Sequence, residues 1–159
     1  MIFGKPLNEA IDKHINKIKE HKKIVTNLIN FVIMELHNRK NTHDDSSLDP
    51  EEAEIMAHYP KFIKDDSYIN GENQAYINTI KGALDIHFQK NRHHPEYFKN
   101  GIKDMNLIDI IEMLCDWKAK TPDNEDIISV IKQYKKIYNF SDDLMNILIN
   151  TVNSEIFDK

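Results

Sequence analysis

The chain has 159 residues, 40% of them apolar, which is the length of one domain and enough to bury a core. Its formal net charge of -5, with both signs interspersed, excludes the basic stripe of a nucleic-acid-binding protein. A single cysteine, Cys115, excludes a disulfide framework, and no apolar run is long enough for an export signal or a membrane span. The expectation is one domain over residues 1–159, cytoplasmic, with homo-oligomerisation left open.

In chain order, Leu7, Ile11, Ile18, Val25, Leu28, Val32 and Leu36 recur at helical spacing and predict a long helix from Leu7 to about Arg39. Residues 41–49 are polar and turn-like. Pro50 followed by Glu51, Glu52 and Glu54 predicts a helix start with acids at its positive end, the helix running to about Ala57. Residues 64–73 read as a loop, and Tyr76, Ile80, Ala83, Leu84 and His87 predict a helix over 75–89. Asn106 reads as the N-cap of a helix through about Lys120, Thr121-Pro122 with Glu125 as a second start, and Ser141 with Asp142 and Asp143 as the last. No segment alternates as a strand would, so the fold class is all-α, a bundle of about five to seven helices.

Chemistry enters where the pattern of apolar inside and polar outside breaks. His14 and His21 fall on the apolar stripe of the first helix and are expected to point into the core, as satisfied core histidines or as ligands. The 106–120 helix is apolar on nearly every side and is expected to be buried all round. Its Asp109, Glu112 and Asp116 form one stripe and need a cation opposite, either Lys81 or Arg92 as an ion pair or a metal with histidine co-ligands. His87, Asn91 and His94 share a helix face, and Pro95 ends that helix so that His93 and His94 stand at its mouth. His43-Asp44 adds a nitrogen and an oxygen donor in a polar loop. Imidazoles mixed with carboxylates suit one or two divalent ions such as Mn, Fe, Co or Zn, or Mg, and without a cysteine pair a zinc-ribbon site is excluded.

The order of these residues resembles the HD-domain metal-dependent phosphohydrolases, which implies an HD-domain-like bundle. That resemblance implies metal ligands at His14, His43, Asp44, His87, His93 or His94, and Asp116. More closely, the chain resembles an uncharacterised bacterial and phage family with the signatures HDxSK, NxHHPE and EMLCDWKA, here residues 43–47, 91–96 and 112–119. One departure is Ser47 in place of the signature's lysine. The expected activity is hydrolysis of a phosphate ester of a nucleotide or other small phosphorylated compound. Asp44 would bridge metal and water, Glu96 or Glu112 would move a proton, and Lys81, Asn91, Arg92 and Lys118 would bind substrate. The alternatives are a non-catalytic module that sequesters a nucleotide or a partner protein, and a structural bundle with buried histidine hydrogen bonds.

Overall fold

A computed structural model describes residues 4–50, 52–54, 57 and 74–157, and the chain divides into two units, Met1–Asn41 and Thr42–Lys159. The described residues are all-α, with no strand among them.

The first unit is helix α1, Gly4–Thr42. Pro6 sits in its first turn, where a missing N–H costs nothing, and no Pro or Gly interrupts the helix afterwards. Arg39 and Lys40 close its negative end, and Arg39 donates to Glu35 one turn back at 3.0 Å. In the first unit by itself, Ile11, Ile18, Val25, Leu28 and Val32 of the apolar stripe are all exposed, and His14 and His21 with them. Helical spacing established that one side of α1 is apolar. It carried no information on what covers that side.

The second unit begins with His43 and Asp44 and a 3-10 turn, Asp45–Leu48. Residues 50, 52–54 and 57 are helical, in keeping with the Pro50 start; the rest of that segment and the expected loop at 64–73 lie outside the described residues. Then come α2, Gln74–Lys90, two 3-10 turns at Pro95–Tyr97 and Gly101–Asp104, and α3, Leu107–Lys120. Helices α4, Ile127–Tyr138, and α5, Asp142–Val152, complete the unit with a last 3-10 turn. Its core joins Ile110, Met113, Leu114 and Trp117 of α3 to Ile127, Val130 and Ile131 of α4 and Leu148 and Val152 of α5. Those are i, i+3, i+4, i+7 sets, one face of each helix. Helix α3 is therefore not buried all round, because Leu107, Ile111 and Cys115 are exposed.

Two caps fall where the residue types require them. Asn106 accepts from the backbone of Ile108 and Asp109 while Asp109 accepts from the backbone of Asn106, a reciprocal capping box. Ser141 accepts from Leu144 N at 3.1 Å. The start expected at Thr121-Pro122 is displaced: Thr121 closes α3 by donating its backbone N–H to Trp117, and Asp126 caps α4 by accepting from Ile128. A Thr-Pro pair marks the end of one helix as readily as the start of the next.

Candidate metal centre

Four short pieces of chain bring the histidines together. Asp44 follows α1 in the left-handed region, φ 54° and ψ 20°, a position glycine would occupy at lower cost. Its carboxylate is what glycine would lack, and it lies at the middle of the cluster. Helix α2 supplies His87 and then stops, because the Asn91 side chain donates to the His87 carbonyl at 2.8 Å. Ahead of Pro95, His94 is extended, φ -91° and ψ 130°, so His93 and His94 turn back over the helix end. Helix α3 presents Glu112 and Asp116 one turn apart.

The imidazole Nε2 atoms converge on carboxylate oxygens. His87 Nε2 is 3.5 Å and His93 Nε2 3.3 Å from Asp44 Oδ1, and His87 Nε2 is 3.0 Å from His94 Nε2. On the other side, His43 Nε2 lies 3.7 Å from Asp44 Oδ2 and 3.5 Å from Asp116 Oδ1. Two ligand atoms bonded to one ion at about 2.1 Å stand roughly 3.0 to 3.4 Å apart when their bonds subtend 90 to 109°. The His93–Asp44 and His87–His94 spacings of 3.3 and 3.0 Å fall in that window, and the three others, at 3.5 to 3.7 Å, lie just beyond it.

Outward-facing carboxylates hold the Nδ1 atoms. Glu112 Oε1 lies 2.9 Å from His43 Nδ1 and 3.4 Å from His93 Nδ1. Glu52, 1% exposed, places Oε2 3.2 Å from His87 Nδ1 and also accepts from Ser46 Oγ at 3.1 Å. Asn91 Nδ2 lies 3.1 Å from the same His87 Nδ1, but its two N–H groups are engaged by Ser46 Oγ and the His87 carbonyl, each at 2.8 Å. The Nδ1 proton of His87 is left to Glu52 Oε2 or to the Ser47 hydroxyl, each 3.2 Å away, and with either acceptor Nε2 is a lone pair aimed inwards. A carboxylate behind a histidine is the arrangement that fixes tautomer and ring orientation in metal sites.

Charge states follow the same geometry. Burial, reinforced by the neighbouring His93, His87 and Lys120, pushes His94 down to about 3, so it is a neutral donor at pH 7. Burial opposes the charge on His43, but the Glu112 hydrogen bond and the charges of Asp44 and Asp116 outweigh it and hold its pKa above 6.5. Burial also raises the Glu52 carboxyl, and hydrogen bonds from Lys90, His87 and Ser46 outweigh that, leaving it below 4.5.

Two overlapping groups have one ligand atom per residue within 4.8 Å of each other: Asp44, His87, His93, His94, and His43, Asp44, His93, Asp116. Among the described residues, Asp44 Oδ1 and His93 Nε2 are buried without a hydrogen-bond partner, and His93 is 1% exposed. Each such atom costs about 1 to 3 kcal/mol unless something satisfies it, and a cation between them satisfies both. The first group fits an ion better. In the second, Lys120 Nζ already neutralises Asp116 at 2.8 and 2.9 Å.

The structure thus brings together His43, Asp44, His87, His93, His94 and Asp116, with Asn91 and Glu112 holding the rings. His14 is exposed on α1 in the first unit, and the two ligand groups lie within the second. Arg92 is engaged by the buried Asp109 through Nε at 3.2 Å and Nη2 at 3.1 Å, which resolves the ion-pair question for that acid. Glu96 is exposed and accepts from the Tyr138 hydroxyl at 2.9 Å. Lys81 and Lys118 are exposed; Lys81 stands six residues from His87 and Lys118 two from Asp116, offsets that place them on other helix faces. Glu52, Ser46 and Lys120 were not among the expected site residues. Only Lys120 carried a signal, its i, i+4 relation to Asp116.

The model of a family of unknown function, DUF5662, matches residues 10–154. The chain belongs to this family. Neither the curated proteins nor the solved structures gave a match, so the HD-phosphohydrolase resemblance has no support beyond the sequence signatures that motivated it.

Proposed function

We propose that Asp44, His87, His93 and His94 hold a divalent first-row metal ion, and that the protein uses it to hydrolyse a phosphate ester of a nucleotide or other small phosphorylated compound. The observation that carries the reading is the pair of buried atoms Asp44 Oδ1 and His93 Nε2, neither of them hydrogen-bonded, 3.3 Å apart at ligand spacing. A donor set of three imidazoles and one carboxylate suits Mn, Fe, Co or Zn above Mg, which prefers oxygen.

Such an ion, when bound, supplies hydroxide at neutral pH and offsets charge on phosphoryl oxygens. The chain's own contribution is orientation and charge. Glu52 and Glu112 fix the rings, and Asp44, with its second oxygen turned towards His43, is placed to accept a proton from a water. Lys120 is the cation nearest the acids, and it also lines a cavity of about 170 Å³ with Trp117, Thr121, Glu125, Gln133 and Tyr134.

The test is a phosphatase and phosphodiesterase screen with nitrophenyl esters and nucleotides in added manganese. The reading expects metal-dependent turnover that Asp44→Asn abolishes. Bound metal with no turnover on any ester favours the second reading, a module that sequesters a nucleotide or partner protein, for which Ser47 in place of the signature's lysine is the motive.

A further inference from the structure

The cavity of about 170 Å³ lies at the C-terminal end of α3, where that helix meets α4, and Lys120 ties it to the acids of the metal centre. Its lining is part aromatic and part polar. Trp117 and Tyr134 stack with ring centroids 4.3 Å apart and planes inclined by 30°, while Thr121, Glu125 and Gln133 bring oxygen and nitrogen groups to the same space. Several of those polar groups are unused. The Gln133 amide and the Glu125 carboxylate have no partner among the described residues, and Trp117, only 6% exposed, donates its indole N–H to none of them. An indole buried to that extent ordinarily finds an acceptor, and a ligand in the cavity would supply one.

We propose that this cavity holds the base of a nucleotide whose phosphate meets the metal centre. The proposal rests on the hydrolytic reading above and narrows its substrate class from small phosphorylated compounds to nucleotides. Two features select a base over a sugar or an aliphatic group. A planar ring packs on rings that are already held in place, and one base stacked on one aromatic side chain gains about tenfold in affinity. The edge of a base also carries donors and acceptors together, which is what the Gln133 amide, the Glu125 carboxylate and the Trp117 N–H offer between them. An apolar group would leave all three unpaired. Sites that enclose a whole drug-sized ligand run to roughly 300 to 1,000 Å³, so a cavity of about 170 Å³ takes one ring system and leaves the rest of the molecule outside. Lys120 marks where the rest goes. Its Nζ is 2.8 Å from Asp116 Oδ1, which is 3.5 Å from His43 Nε2, itself 3.7 Å from Asp44 Oδ2. The ammonium thus stands between the ring site and the ligand cluster, on the line a sugar phosphate would follow.

Trp117 is the one tryptophan of the chain, so its fluorescence reports on this cavity alone. Zinc-loaded and metal-free full chain are titrated with the four common ribonucleosides, their monophosphates and ribose 5-phosphate. The expected result is saturable quenching by at least one nucleoside and by its monophosphate, and none by ribose 5-phosphate. Tyr134→Leu, which keeps apolar bulk in place of the ring, should weaken nucleoside binding by about tenfold. Gln133→Ala, at an exposed position whose loss leaves the core intact, should weaken it by about threefold, and both variants should keep the wild-type zinc content. No quenching by any base-containing probe, equal quenching by ribose 5-phosphate, or wild-type affinity in both variants would each overturn the proposal. Nucleosides carry no phosphate and so test the cavity whatever becomes of the ion. Nucleoside binding with no gain for the monophosphate on zinc loading would support the ring site and count against the metal reading instead.

Discussion

Replacing Glu52 by Gln isolates the carboxylate that orients a metal ligand. In the native chain Glu52 accepts from His87 Nδ1 at 3.2 Å and from Ser46 at 3.1 Å, and its other oxygen is 3.2 Å from Lys90 Nζ. A glutamine has one acceptor oxygen for these three donors, and its NH2 group must then face either Lys90 or the imidazole N–H. The two N–H groups of Asn91 are already used, and the Ser47 hydroxyl, 3.2 Å from Nδ1, is a neutral acceptor weaker than the carboxylate it would replace. Outer-shell losses of this kind weaken metal binding by roughly 10 to 100-fold, or about 1.4 to 2.8 kcal/mol. Competition titration with a chromophoric zinc chelator measures that, and the visible spectrum of the cobalt-loaded protein reports whether the ligand field has changed. The substitution also has a pH signature. The folded carboxyl lies below 4.5, so its contribution is present above that value and is lost as pH falls through the lowered folded pKa. Unchanged affinity and an unchanged cobalt spectrum, with only a lower melting temperature, would show that Glu52 is structural and refute the reasoning.

Arg92→Met should cost roughly 2 to 3 kcal/mol of stability by leaving the fully buried Asp109 without its cation, a value reduced from that of a wholly buried pair because Arg92 is 39% exposed; urea denaturation measures it, and metal content should not change. The metal-free protein should gain stability from His43 as pH falls, since a raised folded pKa gives a contribution that is complete below 6.5 and lost as pH rises through the folded value. Melting temperatures at pH 6 and pH 8 should therefore differ more in the wild type than in His43→Gln. Lys120→Met should raise KM by about tenfold while metal content, measured alongside, stays at the wild-type level, because Lys120 touches Asp116 and the cavity but no ligand of the favoured group.

Helix identity was legible because it is a local property. The caps at Asn106 and Ser141 and the break before Pro95 are each set by a residue type within one turn of the event. The clustering of His87 with His93 and His94 was legible in part, through the helix break before Pro95 and the isolated His43-Asp44 pair; the face that His87, Asn91 and His94 were expected to share does not exist, because α2 ends at Lys90 and His94 is extended. What failed to show was partner choice across sequence distance. Asp109, Glu112 and Asp116 form one stripe, yet their cations are Arg92, the imidazoles and Lys120 respectively, a division made by small differences in position. Glu52 read as an acid at a helix start, and only the fold brings it behind His87, 35 residues away. His14 marks the limit of such a reading: a helical stripe fixes which residues share a side and leaves open what that side meets.

Elemental analysis of protein purified without a polyhistidine tag tests the central claim most directly. The account predicts at least one equivalent of Mn, Fe, Co or Zn per chain, lost in His93→Ala, whose buried Nε2 makes no hydrogen bond among the described residues and faces Asp44 Oδ1 at 3.3 Å. Protein that contains none of these metals, and takes up none when dialysed against each of them, would contradict it.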